Sequence, residues 1–456
     1  MPNQATATVQ QARSLRTARG GLEESRRATH RVDRLSPTTP QHVAYFINLF
    51  PNLIETMIYR EVEALRQRGY EVSTFSIRRP DDTLIPPEAE HLVAGTYYIL
   101  PVSPWRLVAS HLRALLRHPL RYWRILFEVL NGTHSRLRDR FRTLCHFAEA
   151  VTVLQEVERL DVHHLHAHWS LGSTTIAMVV SRFLGIPFSF TAHAYDIWRE
   201  RLLLPEKLRA AALTVTCTDC NRRQLITACG GDPAKVSVVY HGLDLDQFHP
   251  RPRAANTEPI ILSVGRLVEQ KGLDRLLRAC AALTAEGLRF QCDIVGDGPL
   301  RSQLEGLAAE LQFDGHVRFL GKMFHDELIE HYAEADVFAL LCVPAGDDDR
   351  DGIPNTMIEA MAMELPVVST RFSGIPELVI DGETGLLVDT DDQDGAVTAL
   401  RALLRDPARR QRMGAAGRRR VRDEFTIEAS TAVLDATFTS LLAAEAARAK
   451  TPSRQG

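Results

Sequence analysis

Two cations and two acids stand out by type and spacing. Arg266 follows the apolar run "IILSV" and Gly265, and Lys271 comes shortly after it in "GRLVEQKG". In an open parallel sheet, ligands bind beyond the carboxyl ends of the strands. A strand end with two cations beside a helix N-terminus supplies what a diphosphate needs: backbone donors, a positive dipole and paired positive charge. After a second apolar run, "CDIVG", Gly296 leads into Asp297-Gly298-Pro299, a tight turn at which a ligand can approach bare backbone.

The acids lie in "GDDDRDGIPNTMIEAMAMELPVVST", from Gly346 to Thr370. Gly352 gives the chain freedom, and Pro354 with Asn355 opens a helix, since proline suits the first turn. Glu359 then falls in the second turn among Met357, Ile358, Ala360, Met361 and Ala362. A carboxylate in that company is costly without hydrogen-bond partners; ribose hydroxyls or backbone amides both qualify. Asp351 precedes it in a loop with Asp347, Asp348 and Asp349. His164, His166 and His168 alternate along a predicted strand and share one face, but no acid or cysteine accompanies them, so no metal site is expected. Cys217 and Cys220 form a lone C-x-x-C that reads as small residues at a strand-to-helix junction.

The elements that position these residues alternate strand and helix. "HVAYFINLFP" is a strand; the helix after it repeats Ile54, Met57, Ile58, Val62 and Leu65 at helical spacing and closes at Gly69. The same rhythm continues to "VSVVYHG". The Pro-rich "HPRPRAANTEP" (249–259) then reads as a linker, and a second series of strands and helices follows. Apolar strands alternating with helices imply parallel sheets covered on both faces. The expected organisation is a disordered polar tail at 1–40, a first α/β domain at 41–248, and a second at 260–425. A last helix at 426–450 is expected to return to the first domain. Between Trp105 and Arg142 the pattern changes: nine arginines face only Glu128 and Asp139, among leucines and two tryptophans. Such a basic amphipathic helix (about 105–142) suits an anionic membrane surface, or equally packs its apolar face inward with its arginines solvated.

Bulk composition agrees with a two-domain soluble enzyme. The chain has 456 residues, 45% hydrophobic and 24% charged, with a formal net charge of -3 that argues against a nucleic-acid partner. Seven scattered cysteines, an odd number, point to a reducing compartment. No charged-then-apolar leader opens the sequence, so a cytoplasmic location is expected, with peripheral contact at the inner face of the plasma membrane.

Several motifs together resemble the retaining glycosyltransferases of group 1, in the exopolysaccharide and colanic-acid type branch. They are "VGRLVEQKGLDRLLRA", "IVGDGPL", "RFLGKM", the D-x7-E of Asp351 and Glu359, "EAMAMELPVVST", "GIPELVIDGETGLLV", and in the first half "HAHW", "GIPFSFTAHAYDI" and "VVYHGLDLDQFHP". The resemblance implies an α/β fold in the GT-B arrangement: two Rossmann-like parallel-sheet domains facing a central cleft. It implies metal-independent transfer of a sugar, UDP- or GDP-linked, to a saccharide or lipid-linked saccharide, with the nucleotide sugar as co-substrate and no cofactor. Arg266 and Lys271 match the family's diphosphate-binding pair, and Glu359 matches its ribose-binding acid. Asp351 stands where the family's E-x7-E signature has its first glutamate, against the sugar, and is one methylene shorter. His193 matches the histidine that reaches across the cleft, Lys322 and Met323 match the segment beside the base, and the Gly352-Ile353-Pro354-Asn355 turn matches the cradle for sugar and phosphate. The same fold also houses nucleotide-sugar epimerases and hydrolases, and it can serve as a catalytically silent scaffold.

Overall fold

The computed structural model describes residues 41–450 apart from 53–54, 135, 252–257, 314, 324, 347–349 and 351. The predicted tail, most of the predicted linker and Asp351 with Asp347 to Asp349 therefore lie outside the described residues. The chain forms two compact units. One is His42–Leu434; the described residues from Asp435 onward belong to the other.

The unit His42–Leu434 holds two parallel sheets. The first contains β1 (His42–Leu49), β2 (Glu71–Arg78), β3 (Thr96–Tyr98), β4 (His164–His168), β5 (Phe188–Ala192), β6 (Leu213–Thr216) and β7 (Val236–Val238), in the order β3-β2-β1-β4-β5-β6-β7. The second contains β8 (Ile260–Val264), β9 (Gln291–Val295), β10 (Val317–Gly321), β11 (Val337–Leu340), β12 (Val367–Thr370) and β13 (Gly385–Val388), in the order β10-β9-β8-β11-β12-β13. Both are the doubly wound order, whose direction reverses between β1 and β4 and between β8 and β11. These reversals open crevices where neighbouring connections leave on opposite faces of a sheet. Each sheet has its own core, as continuous apolar strands require: Phe46, Leu165 and Phe190 in the first, Leu262, Ile294 and Leu340 in the second.

Local sequence explains most elements. In the helix Thr56–Gln67, Ile58, Tyr59, Val62 and Leu65 are buried, and Gly69 ends it at φ +92°, where a side chain would be strained. Met57 departs from the predicted core stripe and lines a cleft instead. The basic stretch is three helices rather than one: Pro104–Arg117, Pro119–Asn131 and the start of Leu137–Arg159. Pro119 cannot continue a helix and begins the next one, and Gly132 lies beyond the end of that second helix. After the second sheet the chain returns to Leu243: Leu243 N donates to Phe425 O (2.8 Å) and Ile427 N to Leu243 O (3.1 Å). The helix Ile427–Lys450 follows.

Candidate active site

The second sheet assembles its cations from backbone contacts between strand ends. Gly265 N donates to Val295 O (3.0 Å) and Gly296 N to Gly321 O (2.8 Å), so the ends of β8, β9 and β10 are stitched together. A Cβ on Gly296 would lie 2.0 Å from Gly265 O, and one on Gly298 would lie 2.5 Å from Leu267 O. The space that these glycines leave is thus filled by the chain's own backbone rather than held open for a ligand. Lys271 runs its methylenes across Gly265, with Cε 3.4 Å from the position of a Cβ there, while Arg266 is exposed. Lys271 ends a short 3-10 turn, Glu269–Lys271, rather than opening the helix itself. Gly272 (φ +57°) intervenes before the helix Leu273–Ala285, its Cα packed where a Cβ would meet Leu341 O at 1.9 Å. Arg266 and Lys271 therefore flank the end of β8 on a loop pinned to the end of β11.

Glu359 approaches the same crevice from the far side. Its helix, Asn355–Ala362, follows β11, with Pro354 just before the first turn and Thr356 Oγ1 donating to Val264 O at the end of β8 (3.0 Å). The half-buried Glu359 accepts a hydrogen bond at Oε2 from Tyr332 (2.8 Å). Burial first, and then the charge of Glu359, push the Tyr332 hydroxyl well above its usual range, so it remains a donor. Sequence offers ribose or amides as partners; the structure adds a tyrosine. Lys322 and Met323 lie apart from this group, beyond the end of the edge strand β10, with Lys322 exposed and Met323 packed on the core.

Facing these residues, the first sheet presents an aromatic group. His193 follows β5; its N–H donates to Asp196 Oδ1 (2.7 Å) and its ring lies 4.3 Å from Trp169, with His241 at 5.4 Å and His168 at 5.9 Å. Trp169 takes φ +68° at the end of β4, a left-handed conformation rare for a bulky residue. His193 is buried and its Nε2 has no hydrogen-bond partner among the described residues. Burial, and then His241 and His168, hold His193 well below the usual imidazole range; burial brings His241 down to about 4.

Both domains share one cavity of about 230 Å³. His193, Trp169, His241 and Cys217 contribute from the first; Gly352, Ile353 and Ile358 contribute from the second. Arg350 lies over the Trp198 ring, 4.1 Å from its centroid. Glu377 joins the halves nearby, accepting from Asp219 N (2.7 Å) and Cys220 N (2.9 Å) at a first-domain helix N-terminus and from Tyr240 Oη (3.2 Å). Tyr332, Glu377, Trp169 and His241 are not singled out from sequence; of these, Trp169, immediately after β4, and His241, just beyond β7, stand at readable strand ends.

Two groups could hold a metal among the described residues: His193, Cys217 and His241, and Glu61, His166 and His168. Burial pushes the Cys217 thiol up to about 12, so it is not a ready thiolate. In the second group the histidines do have an acidic neighbour, contrary to the sequence reading: Glu61 accepts or shares a hydrogen bond with His168 Nε2 (3.1 Å) from 107 residues away. His166 spends its two nitrogens on Ser189 (2.7 Å) and Thr191 (3.1 Å).

The neutral histidines make the fold acid-sensitive. Burial lowers His164 to about 3 and holds His166 and His193 well below their usual range. A histidine with a depressed folded pKa contributes stability above its unfolded pKa of about 6.5, lost as pH falls toward the folded value. For these three groups, with His241 adding to them, unfolding free energy is expected to fall by at least about 4 kcal/mol per pH unit below about pH 6. Denaturant titrations at pH 7, 6 and 5 measure this slope; a flat profile would show that these rings protonate in place.

The cavity thus sets His193 and Trp169 against Gly352, Ile353 and Ile358, while Arg266, Lys271 and Glu359 lie at the end of β8 and on the helix after β11 and do not line it. Residues 245–420 match the family described as glycosyl transferases group 1, and residues 54–247 match glycosyltransferase family 4. The chain is 31% identical over 370 residues to a putative colanic acid biosynthesis glycosyltransferase, WcaL, of Salmonella typhimurium, covering 78% of this chain and 89% of that one. It is 35% identical over 415 residues to the amylovoran biosynthesis glycosyltransferase AmsK of Erwinia amylovora, covering 84% and 95%. Its fold matches a sucrose-phosphate synthase from Thermosynechococcus elongatus with a TM-score of 0.66 at 22% identity, over 89% of this chain and all of that one. The chain belongs to the group 1 glycosyltransferases and has the GT-B fold.

Proposed function

We propose that this glycosyltransferase moves a sugar from a UDP- or GDP-linked donor onto a lipid-linked saccharide during exopolysaccharide assembly, with retention and without a metal, at the inner face of the plasma membrane. The observation that carries the reading is the cavity shared by His193 and Trp169 on one side and Gly352, Ile353 and Ile358 on the other. Breaking the bond from sugar to diphosphate builds positive charge at the anomeric carbon and negative charge on the leaving group. Arg266 and Lys271 are assigned the second charge, together with the helix that follows them. Asp351, next to Gly352 in sequence, is assigned to the sugar. Glu359, oriented by Tyr332, is assigned to the ribose, and His193 to the donor sugar through its Nε2, which has no partner among the described residues. The turn from Gly352 to Asn355 cradles sugar and phosphate, and Lys322 and Met323 lie beside the base. The acceptor attacks from the face that the diphosphate leaves, and a phosphate oxygen takes its proton. The names of the colanic acid and amylovoran relatives support the exopolysaccharide setting.

The test is thermal unfolding against a panel of nucleotides and nucleotide sugars, followed by turnover with the responding donor. A ligand at 100 times its Kd stabilises by about 2.7 kcal/mol. One base is expected to shift the midpoint, a chelator to leave turnover unchanged, and the product's anomeric proton to show the donor's configuration by NMR. An inverted linkage or a chelator-sensitive rate would refute the mechanism. No shift with any nucleotide would refute the site.

A further inference from the structure

The helices Pro104–Arg117, Pro119–Asn131 and Leu137–Arg159 carry apolar residues on the side turned to solvent. On the first helix, Trp105, Val108, Leu112 and Leu116 recur at i, i+3, i+7 and i+11, all exposed, with Leu116 at 82%. On the second, Leu120, Trp123 and Phe127 repeat that spacing, with Leu120 at 87%. The third adds Leu137, Phe141 and Leu144. Each helix has already spent another side on the core: Ala114 on the first, Ile125 and Val129 on the second, Phe147 and Val151 on the third. A surface helix of a soluble domain normally turns charge outward opposite its buried stripe. Here each of three helices that pack on one another turns a row of apolar residues outward, and exposed apolar surface of this kind marks an interaction surface.

Charge identifies the partner. Nine arginines lie between Trp105 and Arg142, against two carboxylates. Neither carboxylate is free: Glu128 is bonded to Arg182 (2.9 Å) and Asp139 is buried. Arg106, Arg113, Arg117, Arg124 and Arg140 are exposed along the same helices. A second copy of this chain would set arginines against arginines, a repulsive arrangement for a self-complementary interface. An anionic lipid surface offers phosphate to the arginines and acyl chains to the leucines and aromatics, with tryptophans at the boundary. No helix among the described residues is long and apolar enough to cross a membrane.

From this we infer that the three-helix face is a monotopic docking surface for an anionic phospholipid bilayer, with Trp105, Leu116, Leu120, Trp123 and Phe127 seated in the interface. The inference deepens the proposed function and rests on it for its purpose, delivery of a membrane-borne acceptor; the face itself stands independently of the sugar site.

The experiment floats the full chain with vesicles rich in phosphatidylglycerol and with vesicles of phosphatidylcholine alone. Binding is expected only to the first, weakening as salt rises, and brominated acyl chains are expected to quench tryptophan emission. Leu116→Glu with Leu120→Glu, both at exposed positions, keeps the thermal midpoint and turnover on a water-soluble acceptor but loses vesicle binding by at least about tenfold. Arg106→Gln or Arg124→Gln alone costs about fivefold. Binding to neither vesicle, or equal binding to both, would overturn the inference. So would a concentration-dependent dimer that the double variant dissolves, which would assign the face to a second copy. The nucleotide-induced shift, measured on the same samples, judges the sugar site separately.

Discussion

Arg266→Ala and Lys271→Ala are each expected to lower kcat by about 10²- to 10³-fold, a loss of roughly 3–4 kcal/mol of transition-state stabilisation. The reason is positional. Both residues lie at the end of β8, where the crevice of the doubly wound sheet opens and a diphosphate would accumulate charge as it departs. Arg266 is exposed and contributes little to the core, so the thermal midpoint should move little when it is removed. Lys271 packs its stem on Gly265, so Lys271→Met, which keeps the stem and removes the charge, separates packing from electrostatics. Steady-state kinetics with a saturating donor decides the matter. A variant retaining more than about a third of wild-type kcat would remove its residue from the leaving-group role.

The second large effect concerns what holds His193 in place. Lys207 is completely buried and donates to three carbonyls: Ser170 O (2.6 Å), Leu171 O (2.8 Å) and Leu202 O (2.8 Å). Asp196, also fully buried, accepts from Ser170 N and from His193 N. Burial pushes Lys207 down to about 7 and Asp196 up to about 7, so each depends on the other's charge and on these hydrogen bonds. Lys207→Met is expected to cost about 3–5 kcal/mol, because three buried carbonyls lose their donor and a buried carboxylate loses its counter-charge. The midpoint should fall by at least about 6 °C. Asp196→Asn should also destabilise, and the double variant should cost less than the two singles added together. Additive losses would mean that the two groups act independently. Impaired turnover in the surviving folded protein would tie the network to the histidine it supports.

The site itself was unevenly legible. Gly265, Arg266 and Lys271 could be read because a strand end is visible in sequence: an apolar run stops, glycine follows, and polar residues begin. Glu359 could be read as an anomaly, an acid within an apolar helix, but its donor Tyr332 could not, since the two meet only when β11 places their helices side by side. The glycines of "GDGP" invited a ligand reading, whereas a neighbouring strand's loop occupies the space they leave. The histidine strand looked free of acids because Glu61 reaches it from another helix.

The amino-acid sequence by itself determined the alternation of strands and helices, the parallel class of both sheets and the residues that cap their strand ends. These depend on periodicities and turn preferences that act over a few residues. Tertiary structure decided which distant groups meet. Glu377 caps a helix 157–158 residues away, His193 and His241 approach within 5.4 Å, and Lys207 finds its three carbonyls only after the chain has doubled back. It also decided which side of the basic helices stays uncovered. Helical spacing reveals an apolar stripe, but whether that stripe is packed or left to solvent depends on how many neighbouring elements the fold can bring to cover it.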